Sequence, residues 1–90
     1  MTQARFATEN VAVTGTSTGF VRIGDEGSAL RYHCCPTCGA TVHDRLGDGD
    51  FTAVPVGALA DPAFAPPTLS IHETRRHPWV DVPQGAERRD

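Results

Sequence analysis

Apolar residues in this chain recur at every second position or in short runs, and nowhere at the three-and-four spacing of a helix face sustained over ten or more residues. "NVAVTG" sets Val11 and Val13 against polar neighbours, and "GFVRI" carries Phe20, Val21 and Ile23. "ALRYHC" alternates Leu30 with Tyr32, and "ATVHDR" follows the Cys38-Gly39 step. Each pattern predicts a strand. The segments between them, "GTSTG", "GDEG" and "LGDGD", are rich in Gly, Asp and Ser, which supply positive φ angles and local side-chain hydrogen bonds, so they predict hairpin connections. The expected fold is all-β, a small antiparallel meander.

Further along, "DFTAVPVGAL" predicts one more strand, with Pro55 confined to an edge or bulge because it cannot donate to a ladder. "ADPAFAPPT" predicts a loop, with a turn that Asp61 can cap and Pro62 can open. "LSIHE" returns to strand, and Trp79 in "HPWVDVP" is expected to close one side of the core. The domain is expected to span 6–83, with 84–90 ("QGAERRD") a disordered tail.

With 90 residues the chain holds one domain and a marginal core, the size at which folds add a metal, disulfides or a partner. Hydrophobic residues make up 39% and charged residues 21%, a globular balance with no apolar run of membrane length. "MTQARFATEN" has no apolar stretch after its charge, so no secretory signal is expected and the default address is cytoplasmic. The net charge is -3 and the eight basic residues, all Arg, are scattered apart from "TRRH" and "ERRD". That distribution argues against a phosphate-backbone footprint, so neither nucleic acid nor membrane is an expected partner.

Candidate chemistry concentrates in "YHCCPTCGATVH", which holds all three cysteines. Cys35-Pro-Thr-Cys38-Gly39 has the spacing and turn chemistry of a zinc-knuckle hairpin: two thiolates reach one Zn2+ while turn amides point at the sulfurs, and Gly39 lets the chain curl past the second. A closed zinc site needs four ligands, and no second CxxC or CxC follows. A redox dithiol competes for the same spacing, but that chemistry usually places the first thiolate at a helix N-terminus, and here strands flank both sides. Cys34, adjacent on a strand, points to the face opposite Cys35 and reads as a small buried hydrophobe. The same parity puts His33 on the face of Cys35, as a weaker third ligand or as a hydrogen-bonded histidine. His72 and His77 read as surface residues. "GDGD" at 47–50 lacks the ligand ladder of a calcium loop and reads as a solvated turn.

Taken together, "RYHCCPTCGATVHDR", "VPVGALADPAFAPPTLSIHETRRHPWV" and "NVAVTGTSTGFVRIGDEGS" resemble the glutathione-dependent formaldehyde-activating enzyme family, whose wider membership includes centromere protein V. The likeness runs from about Phe6 to Pro83. Its specificity comes from CPxCG followed by V-G-x-L-x-D-P and then R-x-x-W. The resemblance implies an Mss4-like β fold, zinc dependence and a carbon-sulfur lyase activity that forms S-hydroxymethylglutathione. It also implies a structural zinc shared between Cys35 and Cys38 and an upstream CxC, and a catalytic zinc on a separate CxCxxC. Neither upstream motif is in this chain. The expected function is therefore a zinc-binding member of the family that is catalytically incomplete in this form, with no catalytic residue assigned and a glutathione adduct the partner only of a complete homologue. Pairing of two copies around a shared zinc would supply four thiolates. The alternative is a non-catalytic zinc-stabilised module that dimerises or recruits a protein through exposed strand edges.

Overall fold

A computed structural model describes residues 1–47 and 49–90. The described residues form seven strands, β1 (Gln3–Ala7), β2 (Thr18–Ile23), β3 (Ala29–Cys34), β4 (Thr41–Leu46), β5 (Phe51–Pro55), β6 (Leu69–Ser70) and β7 (Glu87–Arg88). Among the described residues the only helical pieces are three single 3-10 turns. The fold is all-β, as the alternation implies. β1 to β5 form one antiparallel sheet in the order β1-β5-β4-β3-β2. β2 through β5 are the expected meander. β1 joins it by pairing with β5, the last strand of the meander.

The "NVAVTG" segment departs from expectation. It continues from a 3-10 turn at Thr8–Asn10 as irregular chain, and the strand lies earlier, at Gln3–Ala7. The ladder explains the shift. The side of β5 away from β4 is filled by residues 3–7, and Thr8 turns the chain off it by donating its backbone N–H to Asp50 O (2.9 Å) and its hydroxyl to Gly49 O. Thr8 Oγ1 also meets Thr52 Oγ1 at 2.9 Å, so "NVAVTG" starts beyond a pinned corner.

Register places side chains in rows across the sheet, because alternate residues of a strand share a face. One face carries a continuous row Phe20, Tyr32, Asp44, Ala53, Arg5, with Arg22, Leu30 and Leu46 in the row beside it. The other face carries Val21, Arg31, Arg45, Thr52 and Phe6 in one row and Gly19, His33 and His43 in the next. The buried centre is small and largely polar: Thr52, Ala53, His43 and Asp44, with Thr52 fully buried. Large apolar side chains stay open to solvent instead, including Phe20, Ile23 and Phe51 at 60–63% exposure. Burial of this kind supplies little hydrophobic stabilisation, which is the condition under which small domains depend on a metal or a partner.

Pro55 ends β5 opposite Gln3, beyond the residues that β4 pairs, so its missing donor costs the sheet no ladder bond. The Asp61 carboxylate accepts Ala63 N–H at 2.9 Å, the capped turn expected there. Trp79 corrects an expectation: its ring is 79% exposed rather than closing the core. It sits in a turn closed by Val80 N–H to His77 O (3.0 Å), and its ring stacks on His77 at 5.6 Å. Residues 84–90, expected as a disordered tail, contain β7, which lies parallel to β6. Glu73 gathers this end of the molecule: its carboxylate accepts from Ser70 Oγ (2.8 Å) and Arg76 Nε (3.1 Å) and pairs with Arg88 Nε at 3.6 Å.

Candidate metal centre

The turn between β3 and β4 is built as the Cys-Pro-Thr-Cys-Gly spacing requires. Cys35 N–H donates to Ala40 O and Gly39 N–H donates to Cys35 O, both at 2.8 Å, and Gly39 takes φ 78°, a left-handed conformation that suits residues without a Cβ. This closure brings the Cys38 and Thr37 amides to the Cys35 sulfur. The Cys35 thiol is held below its ordinary pKa, first by the Cys38 amide, then by the Thr37 amide and the Cys38 thiol, against a small opposing effect of burial. Donors converging on a sulfur stabilise its thiolate, the form that ligates metals. Cys35 is half-buried and Cys38 exposed, so the pair opens to solvent.

Strand parity serves less well for the neighbours. A β-bulge interrupts the β3–β4 register between His33 and Cys34, so alternation cannot be counted through it to Cys35. His33 is instead engaged elsewhere: its Nδ1 lies 3.0 Å from Ser17 Oγ, and its ring stacks on His43 with centroids 4.3 Å apart. Cys34 is half-buried, with its sulfur 3.9 Å from Thr41 Oγ1. Among the described residues, no three His, Cys, Asp or Glu side chains gather where they could hold one ion. Cys35 and Cys38 thus fit half of a tetrahedral thiolate site, and the described residues add no third ligand. Two thiolates are fewer than the four ligands of a closed zinc site or the three protein ligands of a catalytic one. His72 and His77 are exposed, and His72 adopts the left-handed region at φ 55°. The 47–50 turn includes Asp48, which lies outside the described residues.

A family model for the glutathione-dependent formaldehyde-activating enzyme matches residues 1–75. The chain belongs to this family. No curated protein and no solved structure matches it. Within the formaldehyde-activating family the matched span includes the whole five-stranded sheet and the cysteine turn. No described helix is long and apolar enough to cross a membrane.

Two titratable residues that spacing does not single out are buried in the sheet. His43, on the face of His33, is held below the ordinary histidine pKa by burial first, then by the charges of His33 and Arg45. Asp44, on the opposite face, is raised above the ordinary carboxylate range by burial, partly offset by Arg5. Both lie in the "VHD" of β4, where alternation predicts opposite faces but not which neighbouring strands cover them.

Proposed function

We propose that this member of the formaldehyde-activating family is a metal-dependent β domain in which Cys35 and Cys38 supply two thiolates to a structural zinc. The other two ligands come from the same pair in a second copy of the chain. The observation that carries this reading is the closed turn from Cys35 to Gly39, with Cys35 N–H on Ala40 O, Gly39 N–H on Cys35 O and Gly39 at φ 78°, which keeps Cys35 and Cys38 on one tight loop. Zinc bound there would cross-link the β3–β4 turn and link folding to pairing. Family membership supports a carbon-sulfur lyase ancestry. With two thiolates per chain in this reading, the chain alone is expected to form no S-hydroxymethylglutathione from glutathione and formaldehyde. Formation of that product by the purified chain, abolished by Cys35→Ser, would overturn this part.

Substitution with Co2+ tests the site. Thiolate coordination gives intense sulfur-to-metal charge-transfer absorption, lost in Cys35→Ser and in Cys38→Ser and retained in Cys34→Ser. Equal absorption in all three variants would overturn the assignment.

A second reading is favoured by β2, an edge strand exposed at every one of its six residues. Phe20, Val21 and Ile23 all stand in solvent. An unpaired edge of this length recruits another strand unless something protects it. In this reading the chain is a non-catalytic module that pairs through β2, and Val21→Pro, which removes a ladder donor, disperses the assembly without touching metal content.

A further inference from the structure

The sheet face opposite Asp44 gathers basic side chains. β3 and β4 pair Arg31 with Arg45 and His33 with His43, so the two pairs occupy neighbouring rows of that face. The arginines stand directly opposite one another, about 5 Å apart between Cα atoms. The histidines lie two residues along the strands, roughly 7 Å away, and their rings stack with centroids 4.3 Å apart. The residues that continue the two rows, Phe6, Gly19, Val21 and Thr52, are uncharged. Asp50, which precedes β5, lines the depression on the Asp44 face.

Like charges directly opposite on paired strands destabilise a sheet, and here nothing described neutralises them. Among the described residues, neither Arg31 nor Arg45 makes an ion pair or a side-chain hydrogen bond, whereas Arg75, Arg76, Arg88 and Arg89 all pair with carboxylates. Two buried groups also lack partners. Arg45 Nε is buried with no hydrogen-bond acceptor. His43 is 6% exposed, and its ring makes no hydrogen bond to a described residue. The charges that act on His43 are those of His33 and Arg45, both basic, so no carboxylate offsets the field at this point. Buried donors without acceptors are costly, and a bound anion would remove that cost.

The charges select an anion, and the donors select its shape. Each guanidinium is a planar fork matched to two oxygens, and an imidazole supplies a further donor. A monocarboxylate has two oxygens and one charge, enough for a single fork. A phosphate dianion has oxygens for both forks and a charge that matches both arginines. We propose that the Arg31–Arg45–His43 cluster binds a small phosphate dianion, free or as a monoester, clasped by the two guanidinium groups with the His43 imidazole donating to a remaining oxygen. The arginine pair is isolated on its face, so it holds a single phosphate group rather than a nucleic-acid backbone. Val21, 49% exposed, flanks Arg31 on the edge strand and offers apolar surface to the organic group of a monoester. The inference is independent of the zinc reading, because neither Cys35 nor Cys38 belongs to the cluster.

A 1H–15N NMR titration of the full chain with inorganic phosphate tests it, at constant ionic strength and at a slightly alkaline pH where phosphate is a dianion. One phosphate per chain is expected to shift the β3 and β4 amides and the Arg45 Nε–H signal saturably. Acetate is expected to bind roughly tenfold or more weakly, because it forfeits one charge-assisted fork. Arg31→Gln and Arg45→Gln are each expected to weaken phosphate by a similar factor with amide dispersion retained. Arg31→Lys, which keeps the charge and loses the fork, is expected to recover only part of the affinity. Arg22→Gln, on the opposite face, is expected to leave binding unchanged. Phenyl phosphate binding at least as tightly as phosphate would assign the site to a monoester, and weaker binding would assign it to the free ion. No saturable shift would overturn the proposal. So would acetate that binds as well as phosphate, a well-folded Arg31→Gln variant that binds normally, or shifts centred on Arg75 and Arg76 instead of β3 and β4.

Discussion

The Cys35–Gly39 turn and the Arg5–Ala53–Asp44 row lie on the same sheet and are specified in opposite ways. The turn is local: five consecutive residues close it, and its hydrogen bonds are internal or reach only to Ala40. The row is assembled from three strands, and its two charged residues are separated by most of the sheet-forming sequence. A spacing motif therefore exposes the first, whereas the second exists only once the register is set. Their electrostatics differ as well. At the turn, donors surround a sulfur and favour its charged form. In the row, burial disfavours the charged form of Asp44, and Arg5 offsets only part of that effect.

The largest effect expected from breaking the contrast falls on the turn. If zinc at about a hundred times its dissociation constant stabilises the chain by about 2.7 kcal/mol, chelation lowers the melting temperature by roughly 10–20 °C for a domain of this size. Differential scanning calorimetry with and without a chelator measures the shift, and Cys35→Ser is expected to abolish it. A chelator-insensitive melt would remove the turn from the account of stability.

A smaller effect is expected in the row. The raised Asp44 pKa means that the folded chain binds more protons than the unfolded chain between the ordinary carboxylate value and the folded one. The contribution of Asp44 to stability is therefore greatest at low pH and is lost as pH rises through its folded pKa. Asp44→Asn is expected to flatten that descent and to raise stability at neutral pH, read from urea midpoints across the acidic range. An unchanged profile would mean that burial does not perturb this carboxyl.

His43 sets a control of opposite sign on the other face. Its folded pKa is lowered, so the unfolded chain binds more protons as pH falls below the ordinary histidine value. Its contribution is present above about pH 6.5 and is lost as pH falls towards the folded pKa. His43→Gln is expected to remove that loss, in the same urea series. The smallest effect belongs to Trp79. With its ring exposed, Trp79→Ala is expected to change stability by no more than about 0.5 kcal/mol, and a larger loss would restore it to the core.

What was legible in the sequence follows the same division. Alternation located β2 to β4 within a residue or two, because each strand contrasts its two faces and is bounded by turn residues, but it ran the next strand over "DFTAVPVGAL", whereas β5 ends at Pro55 and Val56–Ala58 is a 3-10 turn. It placed the first strand too late, because Val11 and Val13 carry the alternating signal while the ladder with β5 is filled by the less patterned "QARFA". Trp79 was misplaced because ring size argues for burial, whereas a turn of irregular chain holds the ring on His77. The Cys35–Gly39 turn was visible from spacing alone. Asp44 and Arg5 were not, since no local pattern states which strands are neighbours.

The most direct test of the shared zinc is elemental analysis of the purified chain combined with its mass by light scattering. About half a zinc per chain in a particle of twice the chain mass is the predicted result. A metal-free monomer with a cooperative melt would contradict it.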